Sequence, residues 1–207
     1  MRYEFPMIIP VAIEHMKLML LRCIDWVRTR CYKYVWGIEA GSGCKFRGPA
    51  MIRTRKRGMI SLGRNVVFLS RKEINPVGLQ TDTILDTRRG GVIKVGDGSG
   101  FSSVVMSAKT SISIGKNVKC GGNVRIFDHD FHSLEADYRS SSEDCKHIRT
   151  APVVIEDDCF IGTNAIILKG THLRARTIVA AGSVVMGLNA PADSMVKGNP
   201  ANVIERA

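Results

Sequence analysis

From Ile155 an aliphatic residue returns at every sixth position: Ile155, Ile161, Ile167, Leu173, Val179 and Val185. A helix repeats near 3.6 residues and a strand near 2, so neither alone accounts for this column. The period fits a coil of short parallel strands, three to a turn, each sending one side chain inward. Small or turn-forming residues supply the bends between them, as in Ile161-Gly162-Thr163-Asn164-Ala165 and Val179-Ala180-Ala181-Gly182-Ser183. Eighteen residues make one turn, so residues 155–172 and 173–190 form two turns.

Upstream the pattern continues with interruptions. Ile114, Cys120 and Ile126 form one turn, and Val95, Phe101 and Ser107 form another with an extra residue before Ile114. Leu62 and Phe68 belong to an earlier one. Between Ser70 and Gly91 the register is lost, which predicts a distorted coil or loop. Residues 127–152 carry Asp, His, Ser and Arg but no aliphatic column, and so predict a loop thrown out of the solenoid; long loops on rigid scaffolds often carry function.

The first 40 residues differ. Ile13, Leu20, Ile24, Val27 and Cys31 recur at helical spacing among Lys17, Arg22, Asp25, Arg28 and Arg30, which predicts an amphipathic helix from Val11 to about Val35. Two readings of that helix stand, and both can hold. It caps the open apolar end of the first coil, or its basic character and its aromatics Trp26, Tyr32, Tyr34 and Trp36 let it lie on an anionic membrane face. The chain thus divides into a helical segment, 1–40, and a solenoid, 41–207.

Charge and cysteine narrow the setting. Thirty Lys and Arg against 19 Asp and Glu leave a net charge of +11, which favours an anionic partner. The basic run Arg53-Thr54-Arg55-Lys56-Arg57 has no interleaved aromatics and no nucleic-acid-binding motif beside it, so nucleic acid is not the expected partner. The six cysteines form no Cys-x-x-Cys pair and read as reduced, mostly buried thiols of a cytoplasmic protein. Pro10, Glu14 and Lys17 break the first apolar stretch, leaving neither a secretory signal nor a membrane span.

On these motifs residues 95–204, about half the chain, resemble the hexapeptide-repeat acyltransferases, whose fold is an all-β solenoid, the left-handed parallel β-helix. More narrowly they are similar to the O-acetyltransferases of bacterial capsule, colanic-acid and exopolysaccharide synthesis, relatives of the maltose and galactoside acetyltransferases. The carrying residues are Ile114-Gly115-Lys116-Asn117-Val118, Ile126-Phe127-Asp128-His129-Asp130-Phe131-His132-Ser133-Leu134, Ile161 to Gly170, Ala181-Gly182-Ser183-Val184-Val185, and Gly198-Asn199-Pro200-Ala201. The resemblance implies a homotrimer with sites between subunits, acetyl-CoA as co-substrate without a metal, and a carbohydrate acceptor, free or lipid-linked.

The resemblance also implies roles. His129 is the general base that takes the proton of a sugar hydroxyl as it attacks the thioester, with no covalent enzyme intermediate; histidine suits this because its ordinary pKa is about 6.5. Asp128 orients His129. His132 contacts the acceptor, and Ser103 stands near the reacting carbonyl. Gly162, Thr163, Ala180 and Ala181 line the pantetheine path, and Lys197 is a candidate for the coenzyme phosphates with Lys169, Arg174 and Arg206. Met186-Gly187-Leu188 stands where relatives commonly carry Thr-Lys-Asp. Alternatives are a sugar N-acetyltransferase, a non-catalytic assembly subunit, and a zinc hydratase, which needs three histidines on adjacent coil faces where this chain has two in one loop.

Overall fold

The computed structural model describes residues 5–204, with helix side chains described from residue 10 onward. After one helix, Phe5–Tyr34, the chain winds through short strands that stack into three sheets. Each turn contributes one strand to each sheet, and every pairing between turns is parallel until the last strand, Ala201–Ile204, folds back antiparallel on Met195–Gly198 and closes the end.

Three inward columns fill the coil. On the first face Leu62, Val95, Ile114, Ile155, Leu173 and Ala190 stand in register. On the second come Phe46, Phe68, Phe101, Cys120, Ile161, Val179 and Val196. On the third come Ile52, Leu85, Met106, Ile126, Ile167 and Val185. All are buried apolar residues. The third column passes through Met106 rather than the expected Ser107, because the chain takes five residues from Phe101 to Met106 and eight from Met106 to Ile114. The strand Thr83–Asp86 falls inside the stretch where the sequence loses register, so only residues 70–82 form the loop.

Tight corners need residues that accept a left-handed backbone. Between the first and second faces they are Asn65, Gly98, Asn117, Asp158, Arg176 and Asp193, one above another. Each N–H there bonds a carbonyl of the preceding turn, from Asn65 to Ser42 at 2.8 Å through Asp193 to Ala175 at 3.0 Å.

The helix caps the first turn, but with the opposite face from the one its apolar spacing suggests. The first turn leaves unpaired strand N–H groups at its rim, and these require polar partners. Thr29 accepts from Phe46, Asp25 from Gly48, and the Tyr32 hydroxyl both accepts from and donates to Ala50. The Tyr32 ring meets Phe46 edge-on at 4.9 Å, the first member of a stack continued by Phe68 and Phe101 at 4.7 and 5.0 Å. Ile13, Leu20, Ile24, Val27 and Cys31 point to solvent instead. Cysteine burial is also only half as expected: Cys44, Cys120 and Cys159 are buried, whereas Cys23, Cys31 and Cys145 are exposed. Burial pushes the Cys159 thiol up to about 11, so it is an inert packing group.

Candidate active site

The loop at 128–152 leaves the third face after Arg125–Phe127 and rejoins the first at Val153–Ile155. Its root is fixed by Asp128, whose carboxylate accepts the N–H groups of Lys109 at 2.7 Å and Thr110 at 2.6 Å from the turn before. The returning strand is held by Ala151 N–H donating to the Asp128 carbonyl at 2.9 Å. Lys169 pairs with Asp130 at 2.5 Å, so its ammonium is committed to the loop and withdrawn from any coenzyme phosphate.

Two histidines in this loop each face a carboxylate, in different surroundings. His129 Nδ1 lies 2.8 Å from Asp128, so these neighbouring side chains do bond each other. Its ring is wholly enclosed, packs 4.8 Å from Phe131, and leaves Nε2 buried without a partner. His132 Nδ1 lies 2.7 Å from Asp144, and its side chain is 67% exposed. Asp144 also accepts the Ser133 N–H at 2.6 Å. That N–H and the His132 contact hold the Asp144 carboxyl below the usual carboxylate range. In the neutral ring an acceptor-only carboxylate selects the tautomer in both pairs, with the proton on Nδ1 and the lone pair on Nε2. Only His132 presents that lone pair where an acceptor can reach it.

Ser103 does not stand open to a reacting group. It is buried at a left-handed corner, φ 50°, with its hydroxyl unpartnered. The loop at 70–82 closes over that corner. Asn75 donates to Ser102 at 2.8 Å, Gln80 N–H donates to the Asn123 side chain at 2.8 Å, and Asn123 donates to the Gly78 carbonyl at 3.0 Å. The sequence carries no signal for this cover, because residues 70–82 follow no column.

The expected coenzyme residues do come together, at the corner between the second and third faces. Gly162, Ala180 and Lys197 stack on consecutive turns, with Thr163 and Ala181 beside them. Ala181, Gly182 and Lys197 are exposed, Thr163 and Ala180 are half-buried, and Gly162 is buried. Gly162 has a packing reason of its own: a Cβ there would lie 2.4 Å from Ala181 N. Among the described residues no group of three His, Cys, Asp or Glu is placed to hold a metal ion. His172 pairs with Glu156 at 2.6 Å, and His147 stacks on Tyr138.

A three-faced coil of short parallel strands with a six-residue period fits the left-handed parallel β-helix fold. Residues 152–186 match the family model for the hexapeptide repeat of succinyl-transferase. Over 57 residues, 28% of this chain, it is 49% identical to the 2,3,4,5-tetrahydropyridine-2,6-dicarboxylate N-acetyltransferase of Staphylococcus aureus (strain JH9); the match spans only 23% of that protein. Among solved structures it is similar in fold to AntD, an N-acyltransferase from Bacillus cereus in complex with dTDP and 3-hydroxybutyryl-CoA, with TM-score 0.66, 16% identity, and coverage of 83% of this chain and 84% of that one. A hexapeptide-repeat containing acetyltransferase from Vibrio cholerae aligns with TM-score 0.57, 23% identity, and coverage of 95% and 92%.

Proposed function

We propose that the protein is an acyltransferase that moves an acetyl group from acetyl-CoA to a carbohydrate hydroxyl of a surface-polysaccharide precursor, in the cytoplasm, as a homotrimer. The observation that carries the reading is the His132–Asp144 pair: a solvent-facing imidazole, oriented by a carboxylate, on a loop pinned to the rim of a β-helix that carries a column of small residues.

The reaction follows from those parts. The pantetheine arm lies along Gly162, Thr163, Ala180 and Ala181, where small side chains let it approach the backbone closely, and Lys197 meets a phosphate at the exposed end. The acceptor hydroxyl attacks the thioester carbonyl while His132 Nε2 takes its proton; the C–S bond breaks, and the imidazolium returns the proton to the departing thiolate. Asp144 keeps Nδ1–H in place and stabilises the imidazolium. His129, the base expected from the motif, is assigned here to holding the loop with Asp128, because its free nitrogen is sealed inside the subunit.

The test is CoA-thiol release from acetyl-CoA with a panel of sugar acceptors. His132→Ala lowers kcat by about 10²- to 10⁴-fold with little change in CoA affinity, while His129→Gln retains most of kcat and loses thermal stability. The reverse result restores His129 as the base, and no transfer to any sugar overturns the reading. A product acetyl group resistant to hydroxylamine identifies an amide, and moves the acceptor from a hydroxyl to an amino sugar.

A further inference from the structure

The outward face of the N-terminal helix has no partner among the described residues. Ile13, Met16, Leu20 and Val27 are 57%, 65%, 64% and 53% exposed. At 100° per residue they fall on one stripe opposite Asp25, the residue that grips the solenoid. Lys17 borders the stripe on one side and Arg30 on the other, and Arg30 lies 3.9 Å over the Trp26 ring. At the helix end the exposed run Arg55-Lys56-Arg57 sits beside Trp36 around one cleft, with Arg57 donating to the Tyr34 carbonyl. A second cleft, of about 460 Å³ between helix and first turn, is lined by Arg22, Arg30, Lys33, Lys45 and Arg47. Residues 1–57 hold twelve Lys and Arg against four Asp and Glu, a surplus of eight out of the chain's eleven.

We propose that this helix lies flat on an anionic lipid bilayer, its apolar stripe sunk to the acyl boundary and its basic borders and clefts on the lipid headgroups. An apolar stripe edged on both sides by cations matches the two layers of a membrane interface, apolar below and anionic above. A water-exposed stripe of this kind with no acidic residue along it is poorly matched to a second copy, which would bring equally basic borders against its own. No helix among the described residues is long and apolar enough to cross a membrane, so the contact is on the surface. The polar face at Asp25, Thr29 and Tyr32 stays on the solenoid, so docking requires no rearrangement. The proposal is independent of the reaction.

Vesicle flotation of the full chain tests it. The protein floats with vesicles containing about one third phosphatidylglycerol, and about tenfold less with phosphatidylcholine alone or at high salt. Both tryptophans of the chain are exposed and line the two basic clefts, Trp26 the larger and Trp36 the one at the helix end, so their emission shifts to the blue on binding. Val27→Asp abolishes flotation, and Arg22→Glu with Arg30→Glu lowers it about thirtyfold, at about fivefold per cation lost; all these sites are exposed, and an unchanged melting temperature certifies the fold. Failure to float on anionic vesicles, or flotation indifferent to these variants, overturns the proposal. So does a Val27→Asp protein that falls to a smaller oligomer, since the stripe is then a contact between copies.

Discussion

Gly162→Ala separates packing from coenzyme binding at the corner that both readings claim. The added Cβ would sit 2.4 Å from Ala181 N, 2.8 Å from Ala181 Cα and 2.9 Å from Ala180 C, all backbone atoms of the next turn. Relief to about 3.0 Å parts the turns by about 0.6 Å. The flanking bonds, Gly162 N–H to Val179 O at 2.8 Å and Gly182 N–H to Thr163 O at 2.9 Å, then stretch to about 3.4 Å, where N–H···O bonds are spent. Two weakened bonds at about 0.5–1.5 kcal/mol each, with about 1–3 kcal/mol of overpacking strain, sum to about 2–6 kcal/mol. At about 2–4 °C per kcal/mol for a chain of this size, the melting temperature falls by about 4–24 °C. The assay is thermal unfolding at fixed protein concentration, with Ala181→Ser, an exposed neighbour, as a control that stays within about 0.5 kcal/mol. A Gly162→Ala protein that melts with the wild type but no longer binds CoA refutes the packing argument.

Two further outcomes follow from the cap and the loop. Tyr32→Phe leaves the Ala50 N–H of the rim strand without its acceptor and lowers stability by about 1–3 kcal/mol, read by denaturant titration with an unchanged slope. Asp144 is held below the ordinary carboxylate range, so its stabilisation of the loop is full above about pH 4 and is lost as the pH falls through its lowered folded value. Asp144→Asn therefore loosens residues 131–147 at neutral pH, seen as faster amide exchange, and the difference from wild type disappears in strong acid.

The residues that made the fold legible are those facing a uniform environment. The columns from Ile155 to Val185 show in the sequence because each position meets the same apolar interior turn after turn. Ser107 was expected in place of Met106 because a segment one residue short followed by one two residues long looks, in sequence, like a single insertion. Which helix face docks was illegible for a different reason: apolar spacing signals an amphipathic helix, but the unpaired N–H groups that decide the docking face belong to Phe46, Gly48 and Ala50, far along the chain. The loop motif located two histidines without telling which ring is sealed, since that depends on Phe131 and on Asp144, twelve residues beyond His132. The burial of Ser103 was illegible because its cover follows no repeat.

The two halves of the site stand at opposite edges of one sheet. The column of small residues lies where the chain enters the third face, and the histidine loop lies where it leaves; strands of two to four residues at about 3.3 Å each hold them about 7–13 Å apart. Asp128 bonding Lys109 and Thr110, and Lys169 bonding Asp130, all tie the loop to the exit edge, so it is not free to swing across. If a neighbouring copy brings its column to this loop, as the proposed trimer requires, inactive variants rescue one another. Mixing His132→Ala chains with Ala181→Trp chains, whose bulky side chain blocks the exposed column, gives sites with an intact histidine half the time and an intact column half the time. Unfolding and refolding the equimolar mixture then recovers about one quarter of wild-type activity. A site contained in one subunit recovers none, because every chain in the mixture carries one of the two lesions.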